Sequence, residues 1–282
     1  MLQSVFLAFT LYSRIPVPQV QWNEKNMRYC ICFLPLVGAV IGAVQFGMFL
    51  LLEKTGTGPV LRGTVLAALP VLLSGGIHMD GFMDTCDAIH SWKSREERLR
   101  ILKDPHTGAF AVLGCVLYML VSAGVWTEVC GFAGERGAGP AGSGLPGTAA
   151  AGFRSGGQTG LRCLLSVCLC LVLSRALSAF AAVAFPKAKK DGMLRQETDP
   201  AASGTAPAMG ILSLLLLAAL ILVGGICGVC AAAAAVVTLL YYYRTAVDLF
   251  GGTTGDLAGW FLQLCELLML TAIVLSARIM GV

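Results

Sequence analysis

Charged residues are scarce in this sequence. Asp, Glu, Lys and Arg make up 13% of its 282 residues, whereas a soluble domain carries about 25%. Hydrophobic residues make up 56%, and the mean hydropathy is +0.77. Water is therefore not the main solvent of this chain, and the composition excludes an ordinary soluble protein.

Histidine and organised cysteine are also lacking. The three histidines have no spacing that suggests zinc, and most of the 11 cysteines lie in apolar stretches, where they behave as small hydrophobic residues. Cys227 and Cys230 form a CxxC without a nearby histidine, which favours helix packing over a metal or redox site. Met1 to Tyr12 has no basic start and no cleavage site, so it is not a secretory signal peptide. It is too short to span a bilayer and is expected either to lie in the interface or to insert half-way.

Long apolar runs are what the sequence has in abundance. A helix that crosses a bilayer needs about 20 apolar residues, and the fifth run is 35 residues long. Its internal Gly224-Gly225 pair predicts a turn and hence two helices. The prediction is one all-α, polytopic domain over residues 1–282 with about seven transmembrane helices. The runs are Ile31–Leu52, Leu61–Ile77, Ala109–Val129, Leu161–Phe185, Met209–Tyr243 and Leu257–Ile279.

The loops differ in charge. With seven crossings, 13 Lys and Arg fall on the side that holds the segment before Ile31 and residues 78–108, 186–208 and 244–256, and six fall on the other. The positive-inside bias makes the first side cytoplasmic, so we expect a multi-pass protein of the cell membrane with its active-site loops in the cytoplasm. Residues 131–160 on the other side are rich in glycine and predict a flexible loop.

Three carboxylates follow the second apolar run at helical spacing. Asp80, Asp84 and Asp87 stand at i, i+4 and i+7, so a helix would place them on one face. Adjacent carboxylates repel unless a cation neutralises them, and oxygen ligands of this kind suit Mg²⁺ or Mn²⁺. The alternative is a solvated amphipathic helix whose acids pair with arginines further along the chain, namely Arg95, Arg98 and Arg100.

Two further turns carry an Asp on the same predicted face. Asp104 precedes the third run, and Gly251 to Asp256 precedes the last. Backbone amides of a glycine-rich turn before a helix can hold phosphate oxygens. His78 is a possible base. Within the membrane, Arg175 is expected to pair either with Glu266 or with a substrate phosphate.

Five ordered segments resemble the cobalamin synthase family, the adenosylcobinamide-GDP ribazoletransferases. The longest begins GGIHMDGFMDTCD, and the last reads GGTTGDLAGWFLQLCE. After Thr-Gly-Asp the family usually continues Leu-Gly-Ala, whereas Leu257-Ala258-Gly259 follows here. The segments are Phe6–Pro18, Pro35–Ala43, Gly75–Gly114, Ser174–Arg175 and Gly251–Glu266.

The resemblance implies a late step of cobalamin biosynthesis. The enzyme would transfer the cobinamide phosphate of adenosylcobinamide-GDP to α-ribazole or its 5′-phosphate and release GMP. It implies Mg²⁺ as the cofactor, held by Asp80, Asp84, Asp87 and Asp256, with Asp104 as a further catalytic carboxylate and His78 or a free carboxylate as the base. The expected phosphate-binding residues are Arg14, Lys103, Arg175, Gly252, Thr254 and Gly255.

The expected partners are these two substrates and the lipid bilayer, with no nucleic acid. Oligomeric state and association with other enzymes of the corrinoid pathway stay open. Two other functions compete. A CDP-alcohol phosphotransferase also carries an Asp-Gly-led acidic motif at the membrane edge, but it has Ala-Arg where this chain has Asp84-Thr85. A cation-coupled transporter would hold its acids near the membrane midplane, between inverted repeats.

Overall fold

The regular structure of the chain is helical. The computed structural model describes residues 1–134, 158–188 and 192–280, and within these ranges the only β-bridge is an isolated one between Lys187 and Thr253. The predicted all-α class is confirmed. The helices are α1 (Leu2–Tyr12), α2 (Glu24–Met27), α3 (Leu34–Lys54), α4 (Pro59–Ser74), α5 (Ile77–His90), α6 (Arg95–Ile101), α7 (Ala109–Gly134), α8 (Gln158–Ala184), α9 (Met193–Thr198), α10 (Thr205–Thr245) and α11 (Gly255–Met280).

Long apolar helices form the body of the protein. In the described part of the chain, five segments are long and apolar enough to cross a membrane, or up to six if the bent pair α4 and α5 counts as one span. Each apolar run predicted from the sequence coincides with one of the helices α3, α4, α7, α8, α10 and α11. The polytopic class is confirmed. The five segments are Glu24–Lys54, Ala109–Gly131, Arg162–Ala184, Thr205–Phe250 and Gly255–Met280.

Helix α10 folds back on itself. Gly225 has φ 58° and ψ −132°, which breaks the helical path. A Cβ built on Gly228 would overlap the carbonyl oxygen of Leu220, although residues eight apart in a continuous helix lie about 12 Å apart. The predicted turn at Gly224-Gly225 is therefore confirmed. With the two halves of α10 counted separately and α4 included, the apolar segments agree with the expected number of about seven.

Both ends of α10 lie at the same end of the bundle. A Cβ on Gly210, near the start of α10, would lie 3.5 Å from the ring of Phe180. The ring of Tyr243, near the end of α10, lies 4.9 Å from that of Phe185. The fold-back thus returns the chain to the end of the bundle where α8 finishes. The loop after α10 therefore shares a face with the loop after α8.

The predicted glycine-rich loop is shorter than expected. Helix α7 continues to Gly134 and α8 begins at Gln158, so both helices enter the range 131–160 that was assigned to the loop. Helix α7 extends further because its apolar sequence continues beyond Val129, whereas the residues that lengthen α8, Gln158 to Gly160, are polar or glycine. The remainder of the predicted loop, 135–157, lies outside the described residues.

Candidate active site

A sharp bend sets the direction of the helix that carries the acidic motif. Gly75 and Gly76 both have positive φ, 68° and 80°, which glycine adopts without steric cost. They join α4 to α5 at an angle of 96°. Helix α5 has only 14 residues and so is too short to span a bilayer by itself. It turns aside at the end of the bundle where α7 and α11 begin.

Helix α5 packs closely against the start of α11. A Cβ on Gly81 would lie 2.7 Å from the carbonyl oxygen of Asp256, and one on Gly259 would lie 2.9 Å from that of His78. Only glycine permits this approach, which brings Asp256 to the acidic face of α5. The predicted sharing of one face by residues 80–104 and 251–256 is confirmed. That this face is the cytoplasmic one stays a prediction.

Asp84 lies where the carboxylates meet. Burial, together with the charges of Asp80, Asp256 and Asp87, raises the pKa of Asp84 to about 6. No ion pair joins the arginines of α6 to the carboxylates of α5 among the described residues. The alternative interpretation, a solvated helix whose carboxylates pair with arginines, required these ion pairs and is not supported. A cation near Asp84 would relieve the repulsion.

Asp87 has a structural partner. One of its carboxylate oxygens accepts a hydrogen bond from the backbone N–H of Gly108 (2.6 Å), and the other accepts one from Ala111 (2.9 Å). A carboxylate at a helix N-terminus satisfies otherwise unpaired N–H groups and complements the helix dipole. The sequence grouped Asp87 with the cation ligands, but the structure uses both of its oxygens to cap α7. We therefore keep Asp80, Asp84 and Asp256 in the candidate cation site.

The remaining carboxylates do not form a closed metal cage. Within the described ranges, no three His, Cys, Asp or Glu side chains are grouped so as to hold a metal ion. Mg²⁺ does not require such a cage, because it usually keeps several waters and binds one or two carboxylates plus substrate phosphates. The two or three carboxylates around Asp84 fit that mode of binding.

The glycine-rich turn before α11 is fixed by the segment that follows α8. The N–H of Thr253 donates to the carbonyl of Pro186 (2.7 Å), and Ala188 donates back to Thr253 (3.0 Å). A Cβ on Gly252, whose φ is 150°, would lie 2.5 Å from the carbonyl carbon of Lys187. The Thr254 hydroxyl accepts from the N–H of residue 257 (3.2 Å) and caps α11. Two distant segments therefore form one rigid wall.

Two adjoining cavities open at this wall. The first, which we call the acidic cavity, has a volume of about 310 Å³, and the second, the basic cavity, about 230 Å³. Met193, Leu194, Gly255 and Asp256 line both. The acidic cavity is also lined by Tyr12, Ile31, Leu34, Ile77, His78, Asp80, Ser178, Ala182, Glu197, Ala258 and Gly259. The basic cavity is also lined by Leu102, Lys103, Lys187, Gly192, Arg195, Thr253 and Thr254.

Several predicted residues meet at these cavities. His78 and Asp80 line the acidic cavity, Lys103 and Thr254 line the basic one, and Asp256 lines both. Gly255 also lines both cavities. His78 is buried, and its Nε2 has no hydrogen-bond partner among the described residues. Because burial disfavours the imidazolium, this ring is neutral, and its Nε2 could form a hydrogen bond with a ligand hydroxyl.

Six predicted residues line neither cavity, and two of them, Asp104 and Arg14, are exposed. The six are Arg14, Asp84, Asp87, Asp104, Arg175 and Gly252. Asp104 is exposed and accepts hydrogen bonds from the N–H of His106 (3.0 Å) and its ring Nδ1 (2.7 Å), and these bonds lower the pKa of its carboxyl group. Arg14 is exposed and packs against Gly75 at the α4–α5 bend. Arg14 was proposed from the resemblance and Asp104 first from its place before the third apolar run, but neither lines a cavity with Asp80 or Asp256.

Arg175 was expected to pair either with Glu266 or with a substrate phosphate, and the structure shows the first arrangement. The guanidinium is 1% exposed and forms an ion pair with Glu266. It also donates from Nη1 to the carbonyl of Leu171 (2.9 Å), while the Ser174 hydroxyl donates to Glu266 (2.8 Å). Arg175 lines neither cavity, so the structure gives no geometric support to phosphate binding by this residue.

The sequence did not identify the residues between α8 and α10 that line the cavities. Lys187, Arg195 and Glu197 lie in the loop predicted on the correct face, but they have no regular spacing and no family motif was matched to them. Tyr12 donates a hydrogen bond to Glu197 (3.0 Å) across 185 residues of sequence. The charge of the 186–208 loop was the one signal that could have drawn attention to it.

Comparison with known proteins agrees with the resemblance seen in the sequence. A protein from Lachnoclostridium phytofermentans named adenosylcobinamide-GDP ribazoletransferase is 37% identical over 98% of this chain and 94% of its own length. Proteins of the same name from Clostridium botulinum (strain Eklund 17B) and Halalkalibacterium halodurans are 36% and 38% identical over 43% and 41% of this chain, and 48% and 44% of their own lengths.

No solved structure matches the chain with significance. A family model described as cobalamin-5-phosphate synthase matches residues 4–274. That match spans the acidic face of α5, the wall between the two cavities and nearly all of the helical bundle. The chain therefore belongs to the cobalamin-5-phosphate synthase family.

Proposed function

We propose that this chain is an adenosylcobinamide-GDP ribazoletransferase of the membrane. It transfers the cobinamide phosphate of adenosylcobinamide-GDP to a hydroxyl of α-ribazole or its 5′-phosphate and releases GMP. The relative that is similar over almost its whole length carries this name. The observation that supports the chemistry is the wall at Gly255 and Asp256, where a basic cavity adjoins an acidic one.

The reaction is a substitution at phosphorus. The acceptor hydroxyl oxygen forms a bond to the phosphorus that bears cobinamide, the bond from this phosphorus to the bridging oxygen breaks, and GMP leaves with that oxygen. Such transfers depend mainly on positioning and on neutralising charge. The hydroxyl proton passes to a nearby base, for which His78 and the carboxylates of Asp80 and Asp256 are the residues within the acidic cavity.

The basic cavity suits the pyrophosphate. Lys103 and Arg195 contribute cationic side chains, and Lys187 donates from Nζ to carbonyl oxygens at the end of α8, at Ala182 and Phe185. An ammonium has three donors, so Lys187 keeps one for a phosphate oxygen. The first N–H groups of α11 also lie at this wall, where the helix dipole favours an anion.

Asp84, with Asp80 or Asp256, would hold Mg²⁺. The cation supplies charge neutralisation for the pyrophosphate and the leaving oxygen when it is bound. The side chains of this chain then orient the two substrates and exclude water. The close approach of α5 and α11 at Gly81 holds the carboxylates of the two helices in place before substrate arrives.

The site face is proposed to be cytoplasmic. The split of 13 basic residues against six favours that orientation under the positive-inside bias. Nucleotide-activated substrates are also supplied inside the cell. The chain would then act at the inner surface of the cell membrane, with its acceptor and donor entering from the cytoplasm or from the lipid interface.

Membranes that contain the protein provide a direct test. They are incubated with adenosylcobinamide-GDP, α-ribazole and Mg²⁺, and the products are separated. A cobamide and GMP in equal amounts, lost when a chelator is added and restored by Mg²⁺, are expected. Cobamide formation that is insensitive to the chelator would contradict the cation site, and no cobamide at all would contradict the enzyme. Substrate flux without GMP would indicate a transporter.

A further inference from the structure

We infer that the two cavities are separate subsites, with the acceptor nucleoside in the acidic cavity and the pyrophosphate of the donor in the basic cavity. Helix α9 divides them, and Glu197 selects the acceptor. This inference rests on the proposed function and adds which substrate occupies which cavity. Neither Glu197 nor α9 belongs to any motif recognised in the sequence.

Size limits what can enter. The acidic cavity, at about 310 Å³, lies at the lower end of the range of about 300–1,000 Å³ that holds small molecules. A single nucleoside such as α-ribazole, an aromatic base on ribose, is of that order. A corrin macrocycle with its side chains and adenosyl group is far larger than either cavity. The corrin must therefore remain outside, and only the phosphorylated end of the donor reaches the wall.

Charge separates the two cavities. The basic cavity has Lys103, Lys187 and Arg195 on its walls, opposed by Asp256, and so attracts a pyrophosphate. The acidic cavity has carboxylates and no Lys or Arg among its lining residues, so a pyrophosphate placed there would meet like charge. Its other lining residues are largely apolar and suit the base of a neutral nucleoside; the larger of them are Ile31, Leu34, Ile77, Met193 and Leu194.

Helix α9 presents a different face to each cavity. Arg195 lines the basic cavity only, and Glu197 lines the acidic cavity only. Two residues apart on a helix, their side chains point about 200° from each other. Met193 and Leu194 line both cavities. One short helix therefore supplies a cation to one substrate, a carboxylate to the other and an apolar edge between them.

The polar groups of the acidic cavity match a ligand with several hydroxyls. Glu197 is held by the hydroxyl of Tyr12 (3.0 Å), and a carboxylate bound by one donor keeps capacity for more. His78 has a buried Nε2 with no hydrogen-bond partner among the described residues. A buried polar atom without a partner is costly. The hydroxyls of a ribose can donate to Glu197, can donate to or accept from Nε2 of His78, and leave the base to the apolar walls.

Kinetics with both substrates tests this assignment. Glu197→Gln removes the charge while keeping the shape, and the KM for α-ribazole is expected to rise roughly tenfold, the effect of weakening a charge-assisted hydrogen bond. The KM for adenosylcobinamide-GDP should stay within about twofold of wild type. Lys103→Gln should instead raise the KM for adenosylcobinamide-GDP and leave the KM for α-ribazole close to wild type. Gln196→Ala on the exposed side of α9 and Lys93→Gln near α6 are matched controls that should leave both constants unchanged.

A second variant guards against misfolding of the first. Tyr12→Phe removes the hydrogen bond to Glu197 but keeps the carboxylate, and it should raise only the KM for α-ribazole, by a smaller factor. GDP should inhibit competitively against the donor and not against α-ribazole, and its inhibition constant should be unchanged in Glu197→Gln.

The outcomes are distinguishable. If Glu197→Gln and Tyr12→Phe raise the KM of the donor, or raise both constants equally, the assignment of the cavities is overturned while the enzyme stands. If wild-type membranes form no cobamide, the proposed function itself fails, and the subsite assignment fails with it. Selective and opposite shifts in Glu197→Gln and Lys103→Gln support the assignment.

Discussion

Two groups of ionisable side chains lie about the start and the middle of α11, and they are built in opposite ways. At the start, carboxylates of like charge meet, and their repulsion with burial raises the pKa of Asp84 to about 6. In the middle, Arg175 and Glu266 have opposite charges and form a buried pair with Ser174. The charges of the first group repel one another, whereas those of the second attract. Function is therefore expected at the first group and stability at the second.

The largest effect is expected from Asp84→Asn. Removing this carboxylate weakens cation binding, so turnover should fall by a factor of about 10³ or more, the size typical of lost electrostatic stabilisation. Thermal stability without Mg²⁺ should not fall, because the substitution relieves repulsion. Initial rates and melting curves in detergent measure both quantities. Asp248→Asn, at an exposed carboxylate on the same face, is the matched control, and near-normal activity of Asp84→Asn would contradict the cation site.

Substitutions in the buried pair of Arg175 and Glu266 should mainly lower the stability of the protein. Arg175→Ala leaves Glu266 buried without its partner, at a cost of roughly 3–5 kcal/mol. The double change with Glu266→Gln should recover part of that loss, since no unpaired charge remains. Melting temperatures of the two single variants and the double variant in detergent provide the measurement. Full stability of Arg175→Ala combined with a higher KM for adenosylcobinamide-GDP would instead indicate that the arginine binds a substrate phosphate.

Asp87→Ala tests whether Asp87 and Asp84, two carboxylates of α5, have different roles. This residue lies one turn from Asp84 but caps α7 through Gly108 and Ala111. Its loss should lower stability by about 1–2 kcal/mol, as for other helix caps, while the dependence of rate on Mg²⁺ stays close to wild type. Chemical or thermal unfolding together with a Mg²⁺ titration tests this. A large shift in the Mg²⁺ requirement with unchanged stability would return Asp87 to the cation site.

The sequence located the long helices well because a membrane helix is recognisable as a run of about 20 apolar residues. The apolar runs, the turn at Gly224-Gly225 and the shared face of Asp80 and Asp256 followed from run length and alternation of sides. The assignment of Asp87 could not follow in this way. A helix spacing shows which side chains share a face, but not that the N-terminus of α7 lies within hydrogen-bond distance of one of them.

The residues that line the cavities could not be predicted from the sequence for a similar reason. Glu197 of α9 and Tyr12 of α1 are 185 residues apart in sequence and meet only in the folded chain, and Arg195 follows the segment that is hydrogen-bonded to Thr253. Short connecting helices such as α9 carry too few residues for a periodic pattern. Arg175 was correctly judged to need a partner, yet the choice between Glu266 and a phosphate required coordinates.

The last prediction concerns the orientation of the protein in the membrane, and thiol labelling tests it. The substitution at the exposed position Asp248 should not change activity. In a background that lacks the native cysteines, Asp80→Cys and Asp248→Cys should be protected from a membrane-impermeant thiol reagent in intact cells, whereas Thr55→Cys on the opposite turn should react. All three should react after the cells are opened. Reaction of Asp248→Cys but not Asp80→Cys in intact cells would place α5 and the segment before α11 on different sides of the membrane.

The fold-back of α10 at Gly225 also has a consequence for biogenesis. Its tip carries no charge, while Arg195 precedes the hairpin and Arg244 follows it, so the two halves are suited to enter the bilayer together as one insertion unit. Because the hairpin crosses the membrane twice, it does not change the side on which the residues after it lie. Deletion of the whole hairpin would leave α11 with its original sidedness, whereas deletion of one half would translocate Asp256 to the wrong compartment.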